Sequence, residues 1–164
     1  MSAPKVQLLQ RRNTLREKVG GNMANFDQNA VARAEAALQS LSGQFQQWME
    51  EETNKLHDAR NTAKANQWVD ADLDTLYTRA HDVKGLAGTY EYPIGTRIAA
   101  SLCRMIETPE ARENARKHLN ILEAHVDAIR AAVQGKIKTE DHPVGRQLLL
   151  ELEGRVAKMT AANA

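Results

Sequence analysis

His81, Lys84, Gly85 and Gly88 fall within one short stretch, "HDVKGLAG", and their types and spacing suit phosphoryl chemistry. An exposed imidazole, with a reference pKa near 6.5, is largely neutral and nucleophilic around neutral pH. Phosphoryl transfer needs in-line approach and a positive charge against the equatorial oxygens. Lys84, one helical turn beyond His81, supplies that charge. Opposite charges about 4 Å apart attract by about 4 kcal/mol at an effective dielectric near 20, and exposure reduces this. Lys84 is therefore expected to tune transfer without being indispensable. Each glycine costs roughly 1 kcal/mol relative to alanine in a helix interior, so a pair beside one histidine needs a reason. Bare backbone at Gly85 and Gly88 would let a bulky donor bring its phosphoryl group down to the ring, with Tyr77, a turn before His81, as a further docking position. The other reading of such glycines is close packing between helices.

These residues need a helix to hold them, and the chain is built for helices. It is rich in Ala, Leu, Glu, Gln and Arg and poor in β-branched and aromatic runs. Apolar residues recur at three-and-four spacing. The first stripe is Leu38, Leu41, Phe45, Trp48 and Leu56, interrupted at Glu52. The second is Leu73, Leu76, Tyr77, Ala80, Val83, Ala87 and Tyr90. Ile94, Ile98, Leu102, Met105 and Ile106 make a third, and Leu119, Leu122, Val126, Ile129 and Val133 a fourth. Val144, Leu148, Leu152, Val156 and Met159 make a fifth. No strand-like alternation competes, so the fold class is all-α.

The breaks carry helix punctuation. Asp70 or Asp72 is expected to cap the second helix. Pro93 suits a first helical turn, Thr108 caps a helix opened by Pro109, Gly135 closes the fourth stripe and Pro143 opens the fifth. Short connections between long amphipathic helices imply an up-down antiparallel four-helix bundle. Residues 6–19 add a short helix through Leu8, Leu15 and Val19, ended by Gly20 and Gly21. The domain reading is a basic, helical N-terminal extension over 1–27 and the bundle over 28–164. At roughly 100° per residue, His81 lies roughly 115° from the centre of the second stripe, well outside the core.

Composition limits the alternatives. A net charge of +1 does not suggest a nucleic-acid binder. The N-terminal Lys5, Arg11, Arg12, Arg16 and Lys18 read as a solvated face. Cys103 is the only cysteine, which excludes an internal disulfide and fits a reducing compartment. No apolar run approaches the roughly 20 residues that span a bilayer, and the first residues lack the apolar core of a secretory signal. The expectation is a cytoplasmic protein with no membrane partner.

The segment "AHDVKGLAGT", from Ala80 to Thr89, resembles the signature of histidine-containing phosphotransfer (HPt) domains of bacterial phosphorelays. In those domains a phosphorylatable histidine is followed by lysine and glycine three and four residues later on a bundle helix. His81, Lys84 and Gly85 match by type and spacing, and Gly88 matches a small position. The following "YEYPIGTRIAASLCRMIE" also looks like the next helix of stand-alone bacterial members. The specific similarity covers about residues 72–107. Leu86 departs from the pattern, where a smaller residue is usual, and Tyr90, Glu91 and Tyr92 make a bulkier turn.

The resemblance implies a phosphocarrier with no ATP-binding kinase domain. His81 would take a phosphoryl group from a receiver-domain aspartyl-phosphate and hand it to another receiver. The partners would be response regulators or hybrid sensor histidine kinases. The chain itself would bind no cofactor, because the Mg ion belongs to the receiver's acidic pocket. Oligomeric state stays open, with a monomer the simpler expectation.

Three rivals compete. An adaptor bundle would bind signalling partners without phosphotransfer and leave His81 dispensable. A di-iron carboxylate bundle needs Glu-x-x-His pairs, and no histidine here has a glutamate three residues before it. The dimerising domain of a sensor kinase also carries an acidic residue after its histidine, as Asp82 follows His81, but Lys84 and Gly85 fit HPt domains better. "HDAR" at His57 echoes "HDVK" at His81, with Arg60 as the cation. Asn61 stands where Gly85 stands, so His57 is not expected to accept a phosphoryl group.

Overall fold

The computed structural model describes residues 28–161, the side chain of Gln28 excepted. The proposed helix over 6–19 and the extension over 1–27 lie outside the described residues. Two compact units divide the chain after Ser40. Residues 28–40 are the described part of the first, and the packing below concerns the second. The described residues form six helices and no strand: α1 (Gln28–Ala65), α2 (Asp70–Thr89), α3 (Pro93–Ile106), α4 (Pro109–Lys117), α5 (Leu119–Gln134) and α6 (Pro143–Ala161). None of these is long and apolar enough to cross a membrane.

The turn between α2 and α3 fixes how α2 ends. The Tyr92 N–H donates to the Ala87 carbonyl at 2.7 Å and the Glu91 N–H to Gly88 at 3.3 Å. Together they close α2 with the paired reverse bonds that follow a left-handed residue. That residue is Glu91, at φ 64°, where glycine is usual. Its carboxylate is held by Lys138 at 2.7 Å. Tyr92 is buried, and its hydroxyl donates to the Gln46 side-chain carbonyl. The Gln46 amide in turn donates to the Val133 carbonyl at 3.1 Å. The bulk of this turn therefore points partly inward.

α3 lies in the middle of the packing, against α2, α4, α5 and α6. The glycine that lets α2 and α3 close together is Gly95. A Cβ there would sit 3.2 Å from the Ala87 Cβ. The core gathers Leu73, Leu76, Ala80, Val83 and Ala87 from α2 with Ile94, Ile98, Leu102 and Ile106 from α3, and Leu122, Val126 and Ile129 from α5. Truncating a fully buried leucine such as Leu76 to alanine would cost about 2–5 kcal/mol. α1 runs antiparallel to α5: His57 meets Arg130, Arg60 meets Asp127 and Lys64 meets Glu123. α4 clamps the start of α2 through Arg112 to Asp74 and Arg116 to Asp70, both at 2.6 Å.

Much of the local punctuation is as expected. Pro93, Pro109 and Pro143 open α3, α4 and α6, and Thr108 accepts from the Ala111 N–H at 3.2 Å. Three expectations need correction. The N-cap of α2 is Val69, with no side-chain cap bond. Asp70 and Asp72 sit in the first turn, where Asp70 pairs with Arg116 and Asp72 accepts from Asn66 at 2.9 Å. A carboxylate near a helix N-terminus is favourable in either role, and the partners on other segments decide between them. Leu38 and Leu41 are exposed, and the buried face of α1 runs through Met49, Leu56 and Ala63. On α6, Val144 is exposed while Leu149, Leu152 and Met159 are buried.

Candidate functional site

The period of α2 places its side chains around the axis as the apolar stripe requires. Leu73, Leu76, Ala80, Val83 and Ala87 are buried, and His81 projects outside them into solvent. No hydrogen bond or ion pair reaches either ring nitrogen among the described residues. The one recorded neighbour of the ring is Tyr77, with centroids 6.1 Å apart and planes tilted by 34°. Tyr77 is itself half-buried against the core, so it lies on the core side of the imidazole.

Lys84 is half-buried and, among the described residues, has no ion-pair partner. Burial pushes the Cys103 thiol up, and the Lys84 charge is the first of those that oppose this. An unpaired cation one turn from an open imidazole can meet the oxygens of an incoming phosphoryl group.

The two glycines differ from Gly95. A Cβ on Gly85 would meet nothing within 4 Å, and one on Gly88 would meet only Thr96 Oγ1, at an ordinary 3.6 Å. Neither position is needed for helix packing. Both are exposed, so the space above them is free for another molecule. His81, Gly85 and Gly88 share one side of α2, with Lys84 and Tyr77 between them and the core.

The remaining histidines differ in kind. His57 is half-buried, and Arg130 Nη1 donates to its Nε2 at 3.1 Å. A guanidinium can only donate, so Nε2 carries the lone pair and that pair is already used. Arg60, the cation matching Lys84 in the echoed motif, is buried and bonded to Asp127 at 3.0 Å. His125 is fully buried between the Ile121 carbonyl at 2.7 Å and Ser101 Oγ at 3.0 Å. The carbonyl requires a proton on Nδ1, so Nε2 accepts from the serine hydroxyl. His142 Nδ1 accepts from the Val144 N–H at 3.2 Å, and His118 is the half-buried N-cap of α5.

The sequence reading did not anticipate two arginines beside the site. Arg79 pairs with Asp82 at 3.6 Å and Arg112 holds Asp74 at 2.6 Å. The first pair was visible as an i, i+3 spacing, while the second joins residues 38 apart in sequence. The chain matches no family model, no curated protein and no solved structure.

Proposed function

We propose that this chain is a histidine phosphotransfer protein of the cytoplasm, built on an up-down antiparallel four-helix bundle of α1, α2, α3 and α5. His81 accepts a phosphoryl group from an aspartyl-phosphate on a receiver domain and relays it to a second receiver. The observation that carries this reading is the joint state of three residues. Among the described residues, His81 is exposed with both nitrogens unbonded, Lys84 has no ion-pair partner, and Gly85 has open space above its Cα.

The lone pair of one imidazole nitrogen attacks phosphorus in line with the mixed-anhydride oxygen. The N–P bond forms as the P–O bond breaks, and the carboxylate of the partner leaves with the electron pair. The second ring nitrogen then releases its proton to solvent. Lys84 balances charge on the transferring oxygens. Gly85, Gly88 and Tyr77 form the landing surface for the partner, whose own acidic pocket holds the Mg ion.

The test incubates the chain with a receiver domain phosphorylated by a small-molecule donor in the presence of Mg. Loss of label from the receiver and gain of an acid-labile, alkali-stable label on this chain supports the reading. His81→Gln should abolish the gain with helical content unchanged. A wild-type chain that binds the receiver yet takes no label would instead favour an adaptor.

A further inference from the structure

The dipeptide His-Asp occurs twice, at His57-Asp58 on α1 and at His81-Asp82 on α2, and the two carboxylates behave differently. Asp58 Oδ1 lies 3.7 Å from His57 Nδ1. Asp82 makes no contact with His81 and is turned to Arg79, with Oδ2 3.6 Å from Nη1. The residue three positions upstream differs in its pairing. Lys55, three residues before Asp58, is bound to Glu52 at 2.7 Å, and the His57 Nδ1 near Asp58 also meets Asn61 Nδ2 at 3.2 Å. Arg79, three residues before Asp82, has Asp82 as its one carboxylate partner among the described residues.

We propose that Arg79 is a positioning residue for His81, holding the Asp82 carboxylate off the imidazole. The charged groups around that ring fit the idea. On α2, Asp82 is held by Arg79 and Asp74 by Arg112 from α4, and Lys84 has no ion-pair partner among the described residues. From α1, Lys55 is bound to Glu52 at 2.7 Å. From α3, Thr96 lies beneath Gly88, and the Lys84 charge acts on the Cys103 thiol. Among the described residues, the carboxylates of Asp82 and Asp74 pair with arginines and none pairs with the ring.

A carboxylate on the ring would hinder the proposed chemistry at two stages. Before transfer it would favour the protonated imidazole, which has no lone pair for attack, and would repel the phosphoryl oxygens. After transfer it would favour protonation of the phosphorylated ring. In hydrolysis a water oxygen bonds to phosphorus as the N–P bond breaks, the electron pair returns to the ring and inorganic phosphate departs. A protonated ring leaves more readily, so the carrier would lose its load to water. Arg79 thus favours both acceptance and retention, and this second stage rests on the phosphocarrier reading.

The experiment follows the His81 ring by NMR through a pH titration of four proteins: wild type, Arg79→Gln, Asp82→Asn and the double variant. Freed Asp82 should raise the His81 midpoint in Arg79→Gln by about half a pH unit, from the attraction of opposite charges at about 4 Å in water. The double variant should titrate with Asp82→Asn. A midpoint in Arg79→Gln equal to wild type overturns the proposal. So does a rise that survives in the double variant, because it would come from the lost arginine charge alone. In parallel, protein phosphorylated with phosphoramidate should lose its label about threefold faster in Arg79→Gln at neutral pH, with recovery in the double variant. Equal lifetimes would overturn the retention role. A wild type that takes no label would refute the phosphocarrier reading, and the titration would still decide what Arg79 does.

Discussion

Arg130 Nη1 donates to His57 Nε2 at 3.1 Å, and this bond separates the two His-Asp motifs of the chain. His57 has its lone pair engaged and its neighbouring cation, Arg60, buried in an ion pair with Asp127. His81 has neither restriction. His57→Gln is therefore expected to keep phosphoryl labelling within about twofold of wild type, since typical effects of substitutions away from a reacting centre are small. Its melting temperature should fall, because α1 loses a bond to α5. Quantified labelling alongside a thermal melt checks both, and a loss of label matching that of His81→Gln would contradict the assignment.

Gly85 separates docking from packing. With nothing within 4 Å of a Cβ there, Gly85→Ala should leave the fold intact and raise its stability by up to about 1 kcal/mol. Transfer should weaken only modestly. Gly85→Gln keeps good helix propensity but projects a long side chain beside His81, so the melt should hold while transfer falls steeply. Normal transfer by a stable Gly85→Gln protein would show that no partner needs this space.

Lys84→Gln removes the cation while keeping most of the half-buried side chain. The expected result is phosphoryl acceptance slower by about tenfold, the scale of a partly screened charge interaction. The helical signal and melt should be unchanged. Full speed in this variant would place the balancing charge elsewhere.

His125 gives the fold a pH dependence of its own. Burial holds its imidazole below the ordinary value, with the Ile121 hydrogen bond opposing and Arg104 reinforcing that shift. The unfolded chain, titrating near 6.5, then binds more protons than the folded one just below that pH. This contribution to stability is fully present above about pH 6.5 and is lost as the pH falls from there toward the folded value. Urea unfolding at about pH 7.5 and about pH 5.5 should show lower stability in acid. His125→Gln should be less stable at the higher pH but show a shallower decline. An equal decline in both proteins would assign the acid sensitivity to other groups.

The second stripe was legible because one face of α2 is buried along its whole length, from Leu73 to Ala87, and a 3.6-residue period then fixes where His81 points. Pro93, Pro109 and Thr108 were legible because their backbone preferences act within one turn. Asp70 and Asp72 were misread for the opposite reason. Their partners, Arg116 and Asn66, lie on other segments, and local chemistry does not choose between a cap and an ion pair. The first stripe failed at Leu38 and Leu41, both exposed, because a periodic face shows that a helix is amphipathic, not which of its residues are buried. At the candidate site, residue types and spacing singled out His81, Lys84 and the glycines. The arginines that occupy Asp74 and Asp82 needed the placement of α4 and the side-chain directions on α2.

The central claim is most directly tested by mapping the phosphoryl group on the wild-type chain. The protein is labelled from a phosphorylated receiver, kept alkaline, and digested for mass spectrometry under conditions that preserve an N–P bond. The account requires the label on His81, with His57, His118, His125 and His142 unmodified. Label on another residue, or none while a separate histidine acceptor is labelled by the same receiver, would contradict it.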